Sequence, residues 1–385
     1  MLMKILVVPD KFKGTLSAAQ AARAIAAGLR AGWPAEGPRP RIAQVPLSDG
    51  GEGFVEALAR CAGGKLVFVR TVDPQGRPVR AAYAALPDGT AVVGLTEASG
   101  LWRVPPARRD PGTLTTVGTG RLIADALRRG FRRIVVGLGG SATNDGGIGL
   151  AAPLGFRFLD ARGKEIPLTG EGLARLARIV PPRALPRAEI VAASDVTHPL
   201  YGPNGAAFQF AGQKGAGPEQ VARLDANLRH LARVARASLG ASPHRRAGAG
   251  AAGGCGYGLM AFLGARREAG FDLFAEASGL DALLAAHDLV VTGEGCFDAT
   301  SLGGKGPAAV ARRARRRGKP VWLVCGICRL SAAERRRTPF AAIGELAAAA
   351  PSAEAARKQA AKWARETARR LAAASQEAQS SKRSA

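Results

Sequence analysis

The charged and hydroxyl residues best able to do chemistry here are gathered in glycine-rich stretches. "VPDKFKGTLS" (8–17) places Asp10, Lys11 and Lys13 ahead of Ser17. The lysines suit a phosphate or carboxylate, and Ser17 suits the N-cap of a following helix. "PLSDGGEGF" (46–54) sets Asp49 and Glu52 around paired glycines at a helix start. Two carboxylates so placed could hold Mg²⁺ or accept a proton, and the glycines admit a ligand close to the backbone. "GLGGSATNDGGIGL" (137–150) is the richest stretch. Gly139, Gly140 and their neighbours can wrap N–H groups around phosphate oxygens. Ser141, Thr143 and Asn144 add donors, and Asp145 could orient a metal ion or a hydroxyl. "VVTGEGCFDATSLGGKGPAAVARR" (290–313) carries Glu294, Asp298 and Lys305, the last at a helix start where it could meet a transferred phosphate. "ASDVTHPLYGPNGAAFQFAGQKGA" (193–216) offers Asp195 at a strand end and Lys214 beyond it. Each stretch also has a plain structural use as a tight turn, a helix cap or a closely packed loop.

Other features carry less. The 137–150 stretch matches neither G-x-x-x-x-G-K-[ST] nor the spacing of G-x-G-x-x-G. No G-x-S-x-G elbow is present. "CGIC" (325–328) lacks the surroundings of a redox motif and a second pair for zinc. His198, His230, His244 and His287 show no metal-ligand spacing. "AGAGAAGGCGYGLMAFLGA" (247–265) leads into an apolar helix, where its glycines serve packing as readily as ligand approach.

The elements that must position these loops alternate. Apolar, β-branched runs occur at "KILVV", "RIAQV", "KLVFV", "TAVVGL", "RRIVVGL", "AEIVAAS", "DLVVTG" and "PVWLV". Helical spacing fills 17–32, 119–129, 218–239 and 306–317. Strands alternating with helices predict an α/β protein with parallel sheets covered on both faces. In such sheets ligands bind beyond the carboxyl ends of strands, where four of the loops lie. Segments 65–71, 79–84 and 90–95 lack intervening helices and predict an antiparallel meander. A helix follows Ser352 as N-cap, and the last residues read as disordered.

Composition bounds the function. The chain has 385 residues, 47% hydrophobic and 22% charged, which reads as globular and soluble with two domains. No apolar run approaches the roughly 18 residues of a membrane span, and the N-terminus lacks the pattern of a secretory signal. Five scattered cysteines fit a reducing cytoplasm better than a disulfide framework. The net charge of +25 raises nucleic acid as a partner, but 5% aromatics with no basic–aromatic stripe disfavours it. The run "ARRARRRGKP" (311–320) reads as a solvated helix face, and a positive field would also steer an anionic substrate. Oligomeric state is not legible.

Taken in order, "VPDKFKGTLSA", "SDGGEG", "GLGGSATNDGG", "SDVTHPL", "QKGA", "GAGAAGG" and "TGEGCFDATSLGGKGP" resemble the successive motifs of the bacterial type I glycerate kinases, from the first strand to about residue 325. The resemblance implies phosphoryl transfer from ATP, with Mg²⁺, to D-glycerate, commonly giving 2-phosphoglycerate. It implies a discontinuous Rossmann-like domain, 1–66 with 285–376, an inserted flavodoxin-like domain, 67–284, and a disordered tail, 377–385. Phosphoryl transfer needs positioning and charge stabilisation above all. Asp49 or Asp195 is then the expected base, with Asp298 and Glu294 as alternates. Asp10, Lys11, Lys13, Ser17 and Glu52 are expected at the substrate. Gly139, Gly140, Ser141, Asn144, Lys214 and Lys305 are expected at the nucleotide phosphates, and Asp145 and Glu294 at the metal. The chain departs from the family pattern at Cys296, where arginine is usual after "TGEG", at His198, where asparagine is common, in "FAG" before "QKGA", and in the two cysteines of "VCGICRLS". A related hydroxy acid as substrate, or a weakened regulatory paralogue, is the alternative those departures raise.

Overall fold

A computed structural model of the chain describes residues 2–34, 38–48, 50–185, 187–240, 242–302 and 306–383, with side chains described to residue 375. The described strands, in chain order, are β1 (Lys4–Pro9), β2 (Arg41–Gln44), β3 (Lys65–Val72), β4 (Pro78–Ala85), β5 (Thr90–Gly94), β6 (Arg133–Gly137), β7 (Arg157–Leu159), β8 (Arg178–Val180), β9 (Glu189–Ala193), β10 (Arg266–Glu268), β11 (Leu289–Phe297), β12 (Val321–Cys328) and β13 (Ala342–Glu345). The protein is α/β and comprises two compact units, Met1–Ser48 with Phe274–Ala385, and Asp49–Leu273. The sequence-derived boundaries near 66 and 284 lie C-terminal to these divisions. The helix Phe54–Cys61 packs on β4 and β5, burying Phe54, Val55 and Leu58, so it belongs with the second unit.

The first unit holds a five-stranded parallel sheet in the order β13-β12-β11-β1-β2. Ile5, Val7, Leu289, Val291, Trp322 and Val324 pack with Ile25 and Leu29 of the helix Ala18–Gly32 and with Ala364, Ala368 and Ala372 of the helix Ala360–Arg383. The alternate strand residues face the other side, where the helix Gly306–Arg315 contacts β1, β11 and β12. Burial on both faces explains why these strands read as unbroken apolar runs. The two long helices meet very closely. A Cβ on Gly28 would run into the Arg365 carbonyl oxygen, and one on Gly32 into that of Arg369. The backbone stays helical through Arg383, where the sequence reading placed a disordered tail from 377. Glu377, Ala378, Gln379, Lys382 and Arg383 are good helix formers, and they extend a helix already begun.

The second unit holds a six-stranded mixed sheet, β10-β9-β6-β5-β4-β3. β5, β6, β9 and β10 run parallel, and β3–β5 form the expected antiparallel meander. Val93, Leu122, Ile123, Ile134, Val136 and Leu259 lie in its main core. A second core gathers the β7–β8 ribbon, the helix Pro218–Leu239 and Tyr257 and Phe262 of the helix Ala251–Leu263. Near the start of that last helix, Ala252, Gly253 and Gly254 are all left-handed. The turn seats the chain against the 143–144 backbone, since a Cβ on Gly253 would strike the Thr143 carbonyl oxygen. The glycines of 247–258 therefore serve close packing here.

Candidate active site

In the first sheet, β1 leads to β2 on one side while β11 leads to β12 and β13 on the other. Strand order therefore reverses between β1 and β11, the place where open α/β sheets bind ligands. Pro9 pairs with Gly293, and Asp10 N–H donates to the Gly293 carbonyl oxygen at 2.8 Å. This register brings Asp10, just past the end of β1, beside Glu294 within β11. Their hard carboxylate oxygens, few in number, suit Mg²⁺ that keeps water and phosphate in its remaining positions. Lys11 is half-buried and Lys13 exposed on the same turn. Ser17, by contrast, is engaged in a capping box. Its Oγ accepts from Gln20 N–H at 3.2 Å, and its own N–H donates to Gln20 Oε1 at 2.8 Å. Asp298 is similarly occupied: Oδ1 accepts from Thr300 N–H, Thr300 Oγ1 and Ser301 N–H at 2.9, 2.6 and 3.2 Å. Those bonds, the Thr300 hydroxyl foremost, hold its carboxyl below the usual range, which makes it a poor proton acceptor and a good cap. Cys296 lies near Glu294, Asp298 and the exposed Arg329 of the β12 end; burial pushes its thiol up and the Arg329 charge opposes that. Lys305 lies outside the described residues.

In the second sheet, Gly94, Gly137 and Ala193 stand in register across β5, β6 and β9. The segments that follow these strands thus begin at one edge: Leu95–Ser99, the loop 138–145, and Ser194–Asp195. Gly50 lies across that edge, for a Cβ there would sit 2.9 Å from the Ala193 carbonyl oxygen. A Cβ on Gly139 would meet Gly51 Cα. Close loop packing therefore accounts for part of both glycine clusters, which the sequence alone does not distinguish from ligand approach. Glu52 is exposed, and Asp49 lies outside the described residues.

The loop's polar residues are almost wholly buried: Ser141 is 3% exposed, Asn144 and Asp145 0%, and Lys214 4%. The Lys214 ammonium donates to Ser141 Oγ and the Thr143 carbonyl oxygen, each at 2.7 Å. Burial lowers its pKa to about 8, partly opposed by Cys255 and Asp145. Because Ser141 Oγ accepts from Lys214, its own proton remains for another acceptor. Among the described residues, neither polar atom of the Asn144 carboxamide has a hydrogen-bond partner. An orphaned buried amide is costly unless something else satisfies it.

Asp145 proves to be a clamp. Oδ2 accepts from Thr116 N–H at 2.9 Å and Thr116 Oγ1 at 2.6 Å. Oδ1 accepts from Gly147 N–H at 3.1 Å and the Cys255 thiol at 3.9 Å. A carboxylate has about four acceptor sites, and four donors are present. Both oxygens are thus engaged in fixing two helix starts, and those bonds compete with the metal role expected of Asp145.

A sequence profile of the glycerate kinase family matches residues 5–376. The chain belongs to the glycerate kinase family. It is 42% identical to a glycerate 2-kinase of Escherichia coli (strain K12) and 41% identical to a glycerate kinase of Bacillus subtilis (strain 168), each match covering 84% of this chain and 85% of the relative. A crystal structure assigned as glycerate kinase 2 from Salmonella typhimurium LT2 superposes with a TM-score of 0.78 at 40% identity, covering 99% of this chain and all of that one.

For a member of the glycerate kinase family, two residues escape the sequence reading. Glu97 follows β5, and its carboxyl is raised to about 7, by burial first and by the Glu56 charge second. Cys255 donates to the clamp. Neither stands in a glycine-flanked acidic motif; only the folding of distant segments reveals them. The basic run is partly neutralised, with Arg313 and Arg317 against Asp281 at 3.3 and 3.2 Å. Among the described residues no helix is long and apolar enough to cross a membrane, and no group of three or more His, Cys, Asp or Glu could hold a metal by itself.

Proposed function

We propose that the protein transfers the γ-phosphoryl group of ATP to the 2-hydroxyl of D-glycerate, giving 2-phosphoglycerate and ADP. The observation that carries this function is the family match over residues 5–376. Mg²⁺, when bound with ATP, would neutralise phosphate charge, and Glu294 with Asp10 would hold it. Lys11 and Lys13 would meet the glycerate carboxylate, with Glu52 near the substrate as well. Lys214, through Ser141, and the Asn144 amide would order the phosphates beside Gly139 and Gly140, with Lys305 reaching the transferred group. A carboxylate takes the hydroxyl proton as the oxygen attacks; Asp195 and Asp49 are the candidates the sequence offers. The two domains of the Rossmann-like and flavodoxin-like kinds expected from the resemblance, and a cytoplasmic location, belong to the same proposal.

The test is a coupled ADP-release assay with ATP, Mg²⁺ and a panel of small hydroxy acids, with phosphorus NMR of the product. D-glycerate should give the highest kcat/KM, and the product phosphorus should couple to the C2 proton. Turnover confined to a different hydroxy acid, or coupling to the C3 protons, would overturn the assignment. Nucleotide binding without turnover of any acid would favour a regulatory paralogue.

A further inference from the structure

Among the described residues, Glu97 is a carboxyl with little structural use. It lies in the short helix Leu95–Ser99, directly after β5. Its chain turns back over the strand end: a Cβ on Gly94 would lie 3.2 Å from Glu97 Cγ and 3.5 Å from Oε1. The absent side chain at 94 is what lets the carboxyl rest there. Among the described residues its hydrogen-bond contact is a long one, from Thr96 Oγ1 at 3.5 Å. The nearby Arg103 guanidinium stacks on the Trp102 ring, 4.4 Å from its centroid.

The segment bearing Glu97 is strapped to the loop bearing Ser141. Leu101 N–H donates to the Gly140 carbonyl oxygen at 2.9 Å, and Ala142 N–H to that of Ser99 at 3.0 Å. Gly100 and Ser141 form a β-bridge. Thus Glu97 and the phosphate-loop candidates are fixed to one another at the carboxyl edge of the same sheet.

We propose that Glu97 is the proton acceptor of the reaction: a carboxyl held at the β5 end, without an ion-pair partner among the described residues, and tied by backbone bonds to the Ser141 loop. This rests on the phosphotransferase function above and names its base. As the glycerate 2-oxygen forms its bond to the γ-phosphorus, its proton passes to Glu97. The bond from that phosphorus to the bridging oxygen of ADP breaks, and ADP leaves with the electron pair.

The surroundings tune the acceptor. Burial raises the carboxyl to about 7, and the charges of Glu56 and Glu52 add to the rise. Arg103, itself influenced by Asp73, and Thr96 oppose it. A base whose pKa lies near the working pH is the effective kind. Glu97 must be ionised to act, so kcat/KM should fall as pH drops through about 7.

The test is the pH profile of kcat/KM for D-glycerate with Glu97→Gln, Glu97→Asp, Glu56→Gln and Asp195→Asn, with ATP affinity and thermal melts as controls. Glu97→Gln should lower kcat by about 10²–10⁴-fold and abolish the acid limb, with melting and ATP binding preserved. Glu97→Asp should keep the limb at reduced kcat. Glu56→Gln, by removing a like charge, should move the limb to lower pH. An active wild type whose Glu97→Gln variant keeps kcat within about threefold, or loses the limb only in Asp195→Asn, would overturn Glu97 alone. A wild type inert toward every acid would instead overturn the kinase function.

Discussion

Replacing Asp145 by alanine tests the clamp. The change deprives two helix starts of an acceptor, because Thr116 precedes the helix Val117–Arg128 and Gly147 precedes the helix Ile148–Ala151. The Thr116 and Gly147 N–H groups and the Thr116 hydroxyl would lose buried partners. Each orphaned donor costs about 1–3 kcal/mol, offset in part by relief of a buried charge, for a total of about 3–5 kcal/mol. In a unit of this size that corresponds to a melting temperature lower by about 6–20 °C. Asp145→Asn keeps one acceptor oxygen and should cost about 1–3 kcal/mol. Calorimetry in Mg²⁺ and again in EDTA is the assay, and the loss should be the same in both. A variant that melts within about 2 °C of wild type would refute the clamp, and one destabilised only when Mg²⁺ is present would favour the metal role over it.

Gly28→Ala should lower the stability of the first unit by about 1–3 kcal/mol through overpacking, read as a lower midpoint in urea, because the added methyl enters the Arg365 backbone. Lys214 gives a pH signature. Its folded pKa, about 8, lies below its ordinary 10.5, so the cost of burying the ammonium is fully present below pH 8. Between those values the unfolded chain binds the extra proton, and stability rises with pH. The melting difference between wild type and Lys214→Met should therefore shift in favour of wild type from pH 7.5 to pH 10, by about 2 kcal/mol; a pH-independent difference would show that Lys214 is not buried as a cation.

Local chemistry was legible in the sequence, and long-range chemistry was not. Ser17 and Ser352 are caps because a hydroxyl ahead of a helical run needs only its near neighbours, and both accept from the third residue on. The apolar runs became strands because each satisfies burial on its own pattern. Asp145 looked like a ligand because its partners are remote, Thr116 lying 29 residues earlier and Cys255 110 later. Glu97 went unnoticed for the same reason: nothing in "LTEASG" shows that Glu56 and Glu52 will crowd it. Gly139 shows the limit for glycine, where contact with Gly51 and contact with a phosphate demand the same residue.

The place of β1 has a consequence for how the chain is made. Its neighbours are β2, which follows within about 35 residues, and β11, whose register partners Leu289–Gly293 come some 280 residues later. At ribosomal rates of roughly 5–20 residues per second, one edge of Ile5–Val8 waits on the order of 15–60 s for its partner. The segment Asp49–Leu273 is contiguous and can mature during that interval. Until Leu289–Gly293 are made, the apolar Ile5–Val8 segment can pair along β2 alone, while the contiguous second unit already has all of its own strands.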